Sequence, residues 1–116
     1  MVAAATADRQ HQVYALFNAH LAAEIRALIT PELIAEHKRQ PLGRQSDALS
    51  RVVNFFRHPP KFALYARVPM REWQLVRVPV GPGGPQPIDD TVYTSEADAL
   101  HAVFLRHVAD LQAEKL

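Results

Sequence analysis

Hydrophobic spacing changes period twice along this 116-residue chain, and that change restricts its fold more than any single motif. From about Thr6 to Ile29, the apolar residues Val13, Leu16, Phe17, Leu21, Ile25, Leu28 and Ile29 recur at three- and four-residue steps. Asp8, Arg9, Gln12, Asn18 and Arg26 take the other face, so the segment reads as an amphipathic helix. Thr30-Pro31-Glu32 then starts a second helix, with a capping hydroxyl, a proline at the first helical position and an acid near the positive end of the dipole. It runs to about Arg39, where Pro41 and Gly43 end it. Ser46 caps a third helix with Asp47 in its first turn and Leu49, Val52, Val53 and Phe56 as its stripe; His58-Pro59-Pro60 stops it. Phe55 widens that stripe beyond what one core contact needs.

At Lys61 the period drops to two. Phe62, Leu64, Ala66 and Val68 alternate with Ala63, Tyr65 and Arg67, and Gln74 to Val80 alternates again with Val76, Val78 and Val80 on one side. With Pro69 to Trp73 as connector this predicts a β-hairpin, and Pro79 places the second strand at an edge or marks its end. Gly81 to Pro87 reads as a loop, with a short strand at Thr91 to Tyr93 after it. The helical period then returns: Ser95 and Asp98 open a helix whose stripe is Leu100, Val103, Phe104, His107, Val108 and Leu111. The expectation is an α+β fold: N-terminal helices, a two- or three-stranded antiparallel meander, and a long C-terminal helix packed on it. No repeat or boundary divides it, so residues 1–116 read as one domain, helical over about 6–58 and hairpin plus helix over about 61–116.

The search for chemistry excludes more than it finds. There is no Cys, no H-x-x-x-H, and His11 and His20 stand too far apart on one helix to share an ion, so no metal site is expected. Asp89-Asp90 reads as a solvated turn, since nothing nearby would raise either pKa. No nucleophile elbow surrounds Ser46, Ser50 or Ser95. The prolines of Gly81 to Pro87 remove the amide donors a phosphate loop needs. Thirteen basic and twelve acidic residues balance, which argues against nucleic acid. The alternative reading is a small DNA-binding or regulatory module, with Arg67, Arg71 and Arg77 on its sheet beside the C-terminal helix. No apolar run is long enough to span a bilayer, and Met1 to Ala7 lacks the basic start of a signal peptide, so a cytoplasmic location is expected. Phe55, Phe56, Arg57 and Trp73 are residue types that dominate contacts between chains.

Three runs carry a resemblance to a known family: Arg51-Val52-Val53-Asn54-Phe55-Phe56-Arg57, Arg71-Glu72-Trp73, and Leu100-His101-Ala102-Val103-Phe104-Leu105-Arg106. With Glu36-His37, Pro41 and Gly43, they resemble the small subunit of N,N-dimethylformamidase from about Glu36 to the C-terminus. The Gly81 to Pro87 loop departs from that family in being richer in Gly and Pro. The resemblance implies a much larger catalytic partner that holds a mononuclear iron through tyrosine and glutamate side chains. It also implies that the assembly hydrolyses N,N-dimethylformamide, or a related small amide, to formate and dimethylamine. No catalytic or metal-binding residue carries over to this chain; Asn54, Phe55, Arg57, Trp73, His101 and Arg106 are the expected contributors to packing or to the subunit interface.

Overall fold

The computed structural model describes residues 2–58, 60–79 and 81–113, with side chains described for Val13 and from Leu16 onward. Its first helix, α1 (Val2–Leu28), starts four residues before the predicted point, because the alanine-rich opening is as helix-compatible as the rest of the segment. In α2 (Pro31–Arg39), the Thr30 side chain accepts from the Leu33 amide at 3.2 Å, and the Gln40 amide closes the last turn on Glu36. Gly43 then takes φ +93°, a left-handed conformation that a Cβ disfavours.

Helix α3 (Asp47–Phe56) is capped by Ser46, whose hydroxyl accepts from the Leu49 amide at 3.2 Å. Glu36 anchors that cap from the side, accepting from the Ser46 amide and the Ser46 hydroxyl, each at 2.7 Å. Those two hydrogen bonds favour the charged form and hold the Glu36 carboxyl below its usual pKa.

Strands β1 (Phe62–Val68) and β2 (Glu72–Arg77) pair antiparallel, from Phe62 opposite Arg77 to Val68 opposite Glu72, with a bulge at Arg67. The connecting turn places Met70 at φ 66°, 84% exposed. β2 ends before Pro79, but it is the central strand: β3 (Gln86–Pro87) pairs on its other side. This third strand lies inside the predicted loop, and Pro87 is tolerated there because an edge strand can forgo one donor. The strand expected at Thr91 to Tyr93 reduces to a single bridge between Tyr93 and Trp73. Alternation also fails at Leu75 and Val76, both buried although adjacent residues face opposite sides of a strand; both faces are covered there.

Helix α4 (Glu96–Ala113) packs on β1, β2 and the helices, so it joins the two parts. Ile25, Leu33, Leu49, Val52, Phe56, Phe104, Val108 and Leu111 form the central core. Each such side chain contributes about 1.5–3 kcal/mol by leaving water. The Arg26 guanidinium donates to the Leu111 carbonyl at 3.3 and 3.4 Å, placing a cation at the negative end of α4. The long dimension is 55 Å against 35 and 24 Å. At 1.5 Å per residue, α1 alone is about 40 Å long.

Candidate functional site

The stripe on α1 does not stay in the core. Ile25 is 2% exposed and Leu21 half-buried, but Val13, Leu16 and Phe17 are each 63% exposed. The residues the spacing assigns to one apolar face therefore divide into a buried lower half and an uncovered upper half.

Where that stripe meets α3, a groove of about 650 Å³ opens. Leu21, Ala22, Ile25 and Phe55 supply its apolar lining; Asn18, Asn54, Arg51, His58 and Lys61 supply its polar one. Arg51 lies 3.9 Å from Glu24 with both side chains well exposed, and Lys61 Nζ is 2.8 Å from Asp110. Phe55, His58 and Lys61 also border a second cavity of about 90 Å³, floored by Phe56, His107 and Leu111. The groove therefore continues downward to the core.

A third cavity, about 130 Å³, lies among α2, α3, α4 and the start of β1. His37, Phe56, Arg57, Phe62, Val103 and His107 are among its lining residues. His37 is 4% exposed and stacks on Phe104 with ring centroids 4.0 Å apart; its Nδ1 meets the Nδ1 of His101 at 2.9 Å. Burial first, then His101, push the His37 pKa down to about 4, with Glu36 opposing. His101 is also pushed down, by burial and Lys38, against Asp98.

His107, 7% exposed, stacks on Phe56. Its Nε2 accepts from the Lys61 and Phe62 amides at 3.3 and 3.4 Å, so the ring is neutral with its proton on Nδ1. Burial lowers its pKa; a backbone hydrogen bond to Val103 and the charge of Asp110 oppose that, while Lys61 adds to it. These histidines act as packing and hydrogen-bonding groups. Among the described residues, no three His, Asp or Glu side chains gather to hold a metal.

The six expected interface residues fall in different surroundings. Asn54 and Phe55 line the α1–α3 groove, and Arg57 lines the 130 Å³ cavity. His101 is engaged with His37, half-buried Trp73 bridges to Tyr93 through backbone, and Arg106 lies 3.7 Å from Asp89. Spacing does not single out Val13, Leu16 and Phe17 as surface residues, because periodicity marks an apolar face without saying whether anything covers it. Nor does it distinguish His37, whose burial depends on α4.

Asp89 is a turn residue, its Oδ1 accepting from the Thr91 amide at 2.9 Å. Of the three arginines expected on the sheet, Arg67 faces Glu72 at 4.0 Å and the Arg77 guanidinium lies over the Phe62 ring, while Arg71 lies in the turn between β1 and β2. Tyr65 is exposed on β1 and Tyr93 half-buried beside Trp73; the side chains of His11 and Tyr14 lie outside those described. No helix among the described residues is long and apolar enough to cross a membrane.

Residues 12–116 match the family described as N,N-dimethylformamidase alpha subunit, so the likeness extends into α1, well before Glu36. Two curated relatives carry that same name. The protein from Alcaligenes sp is 36% identical over 114 residues, covering 92% of this chain and 86% of its own. The protein from Paracoccus aminophilus is likewise 36% identical over 114 residues, covering 92% of this chain and 81% of its own.

Proposed function

The chain belongs to the N,N-dimethylformamidase alpha-subunit family, and on that premise we propose that it is a non-catalytic small subunit assembling with a large, iron-dependent amide hydrolase subunit. The assembly hydrolyses N,N-dimethylformamide or a related small amide to formate and dimethylamine. The observation that carries this reading is the match over residues 12–116 to proteins named as one subunit of that enzyme.

The arrangement of polar groups supports a bracing role. His37, His101 and His107 are committed to packing and hydrogen bonds within the core, and Ser46 and Ser95 to helix caps. Among the described residues, no three His, Asp or Glu side chains gather into a cluster that could hold a metal. The iron belongs in the partner, where a metal of that kind polarises the amide carbonyl and activates water. This chain's contribution is a preformed apolar surface that stabilises the larger polypeptide by covering part of it.

Expression of the chain alone, of the large subunit alone, and of both together tests the proposal. Amide hydrolysis and stoichiometric iron are expected only where the large subunit is present, with active-enzyme yield rising on co-expression. Robust hydrolysis by the isolated chain would overturn it.

A further inference from the structure

We infer that the uncovered upper face of α1 and the α1–α3 groove form one continuous docking surface for an acidic, amphipathic helix of the large subunit. This inference rests on the subunit reading above and specifies where that contact is made.

Continuity is the first argument. The steps from Val13 to Phe17, Leu21 and Ile25 are four residues each, so these side chains form one gently spiralling row on the helix. Exposure falls along the row, from 63% at Val13 and Phe17, through half-buried Leu21, to 2% at Ile25. The apolar row that completes the core in its lower half continues beyond the body of the protein. Leaving three large side chains in water forgoes about 1–2 kcal/mol each, and the core of this chain gains nothing from them. What completes the upper half is a second apolar stripe.

Shape and charge decide what carries that stripe. The groove of about 650 Å³ runs between two helices, the setting in which an amphipathic helix seats its apolar face. Its continuation, the 90 Å³ cavity floored by Phe56, His107 and Leu111, takes one apolar side chain as an anchor; the one carboxylate on its lining, Asp110, is held by Lys61 at 2.8 Å. Arg51, His58 and Lys61 border the groove, and no Asp or Glu is among its described lining residues. Arg51 and Lys61 already face Glu24 and Asp110, but the Arg51–Glu24 contact is long and exposed, so an incoming carboxylate can join it. A second copy of this chain fits less well, because an isologous contact brings two such cationic borders together.

Co-purification of the full-length chain with its large subunit, combined with titration of the two purified components, tests the surface. Phe17→Glu is expected to weaken assembly about 30-fold or more, the loss typical of an interface hot spot. The thermal midpoint of the isolated full-length chain should stay unchanged, because Phe17 is exposed there. Val13→Glu serves as the second variant should Phe17→Glu disturb folding. Arg51→Glu should weaken assembly and flatten its salt dependence. Tyr65→Glu, on the exposed face of β1, should assemble normally.

If wild type assembles and both α1 variants assemble equally well, the surface is wrong while the subunit reading stands. If Tyr65→Glu alone disrupts assembly, the contact lies on the hairpin and the inference falls. If the isolated chain is a dimer that Phe17→Glu dissolves, a second copy covers the face, and the inference is overturned. If wild type forms no complex with the large subunit, the subunit reading fails and takes this inference with it.

Discussion

His37 and His101 meet Nδ1 to Nδ1 at 2.9 Å, joining α2 to α4 across 64 residues of sequence. One ring donates and the other accepts, so the contact requires a neutral acceptor. A proton on both rings replaces the hydrogen bond with repulsion between two cationic rings, in a site already desolvated by Phe104, 4.0 Å from the His37 ring.

Acid should therefore loosen the helical end of the protein. His37 has a folded pKa of about 4 against an ordinary 6.5, so between these values the unfolded chain binds more protons and stability rises with pH. The stabilisation is complete above about pH 6.5, declines as pH falls, and is gone below about 4; its size is on the order of 3 kcal/mol. Burial of His107 lowers its pKa and adds loss in the same direction. Denaturant midpoints across this range should show the slope, and His37→Phe should reduce it; an unchanged slope would remove His37 as its source.

The two halves of α1 should respond oppositely to truncation. Ile25→Ala, at a 2% exposed position, should cost about 2–5 kcal/mol in urea unfolding of the isolated chain. Phe17→Ala, at 63% exposure, should stay within about 0.5 kcal/mol of wild type. A large loss at Phe17 would mean that the upper half serves the monomer's own core.

Met70 holds φ 66° at the hairpin tip, a conformation that costs a residue with a Cβ about 1–2 kcal/mol. With 84% of the residue exposed, Met70→Gly forfeits little packing. It should raise the thermal midpoint by a few degrees, corresponding to about 0.5–1 kcal/mol after the added unfolded-state entropy. A lower midpoint would show that the Met70 side chain contributes more than its exposure suggests.

Ser46 is both the cap of α3 and the residue Glu36 grips, so Ser46→Ala removes the cap acceptor and the hydroxyl's bond to Glu36, leaving the amide's. The expected cost is about 1–2 kcal/mol, read from chemical denaturation. Ser46→Asp keeps a capping acceptor but places a carboxylate against Glu36, so it should not restore wild-type stability. Equal stability of all three proteins would show that the α2–α3 connection is held elsewhere.

Local signals are enough to place the starts of α2, α3 and α4 and the existence of the hairpin. Thr30, Ser46 and Ser95 cap where their hydroxyls can satisfy the first amides, a requirement met within three residues of chain. Period-two spacing places β1 because each alternate residue reports the same face. The third strand is not legible in this way: Gln86–Pro87 has no strand periodicity and pairs only because β2 offers an open edge.

Contacts between near neighbours thus set the α+β class, the order of elements and their caps, which is why all three can be read along the chain. The family likeness is legible there too, through runs in α3, the hairpin and α4. Which half of one apolar stripe is buried was settled by long-range packing alone. Val13 and Ile25 are alike in period and polarity, but α3 and α4 reach one of them and not the other. The same packing made His37 a core residue bonded to His101 and left Phe17 in solvent, outcomes that depend on what distant segments bring against each side chain.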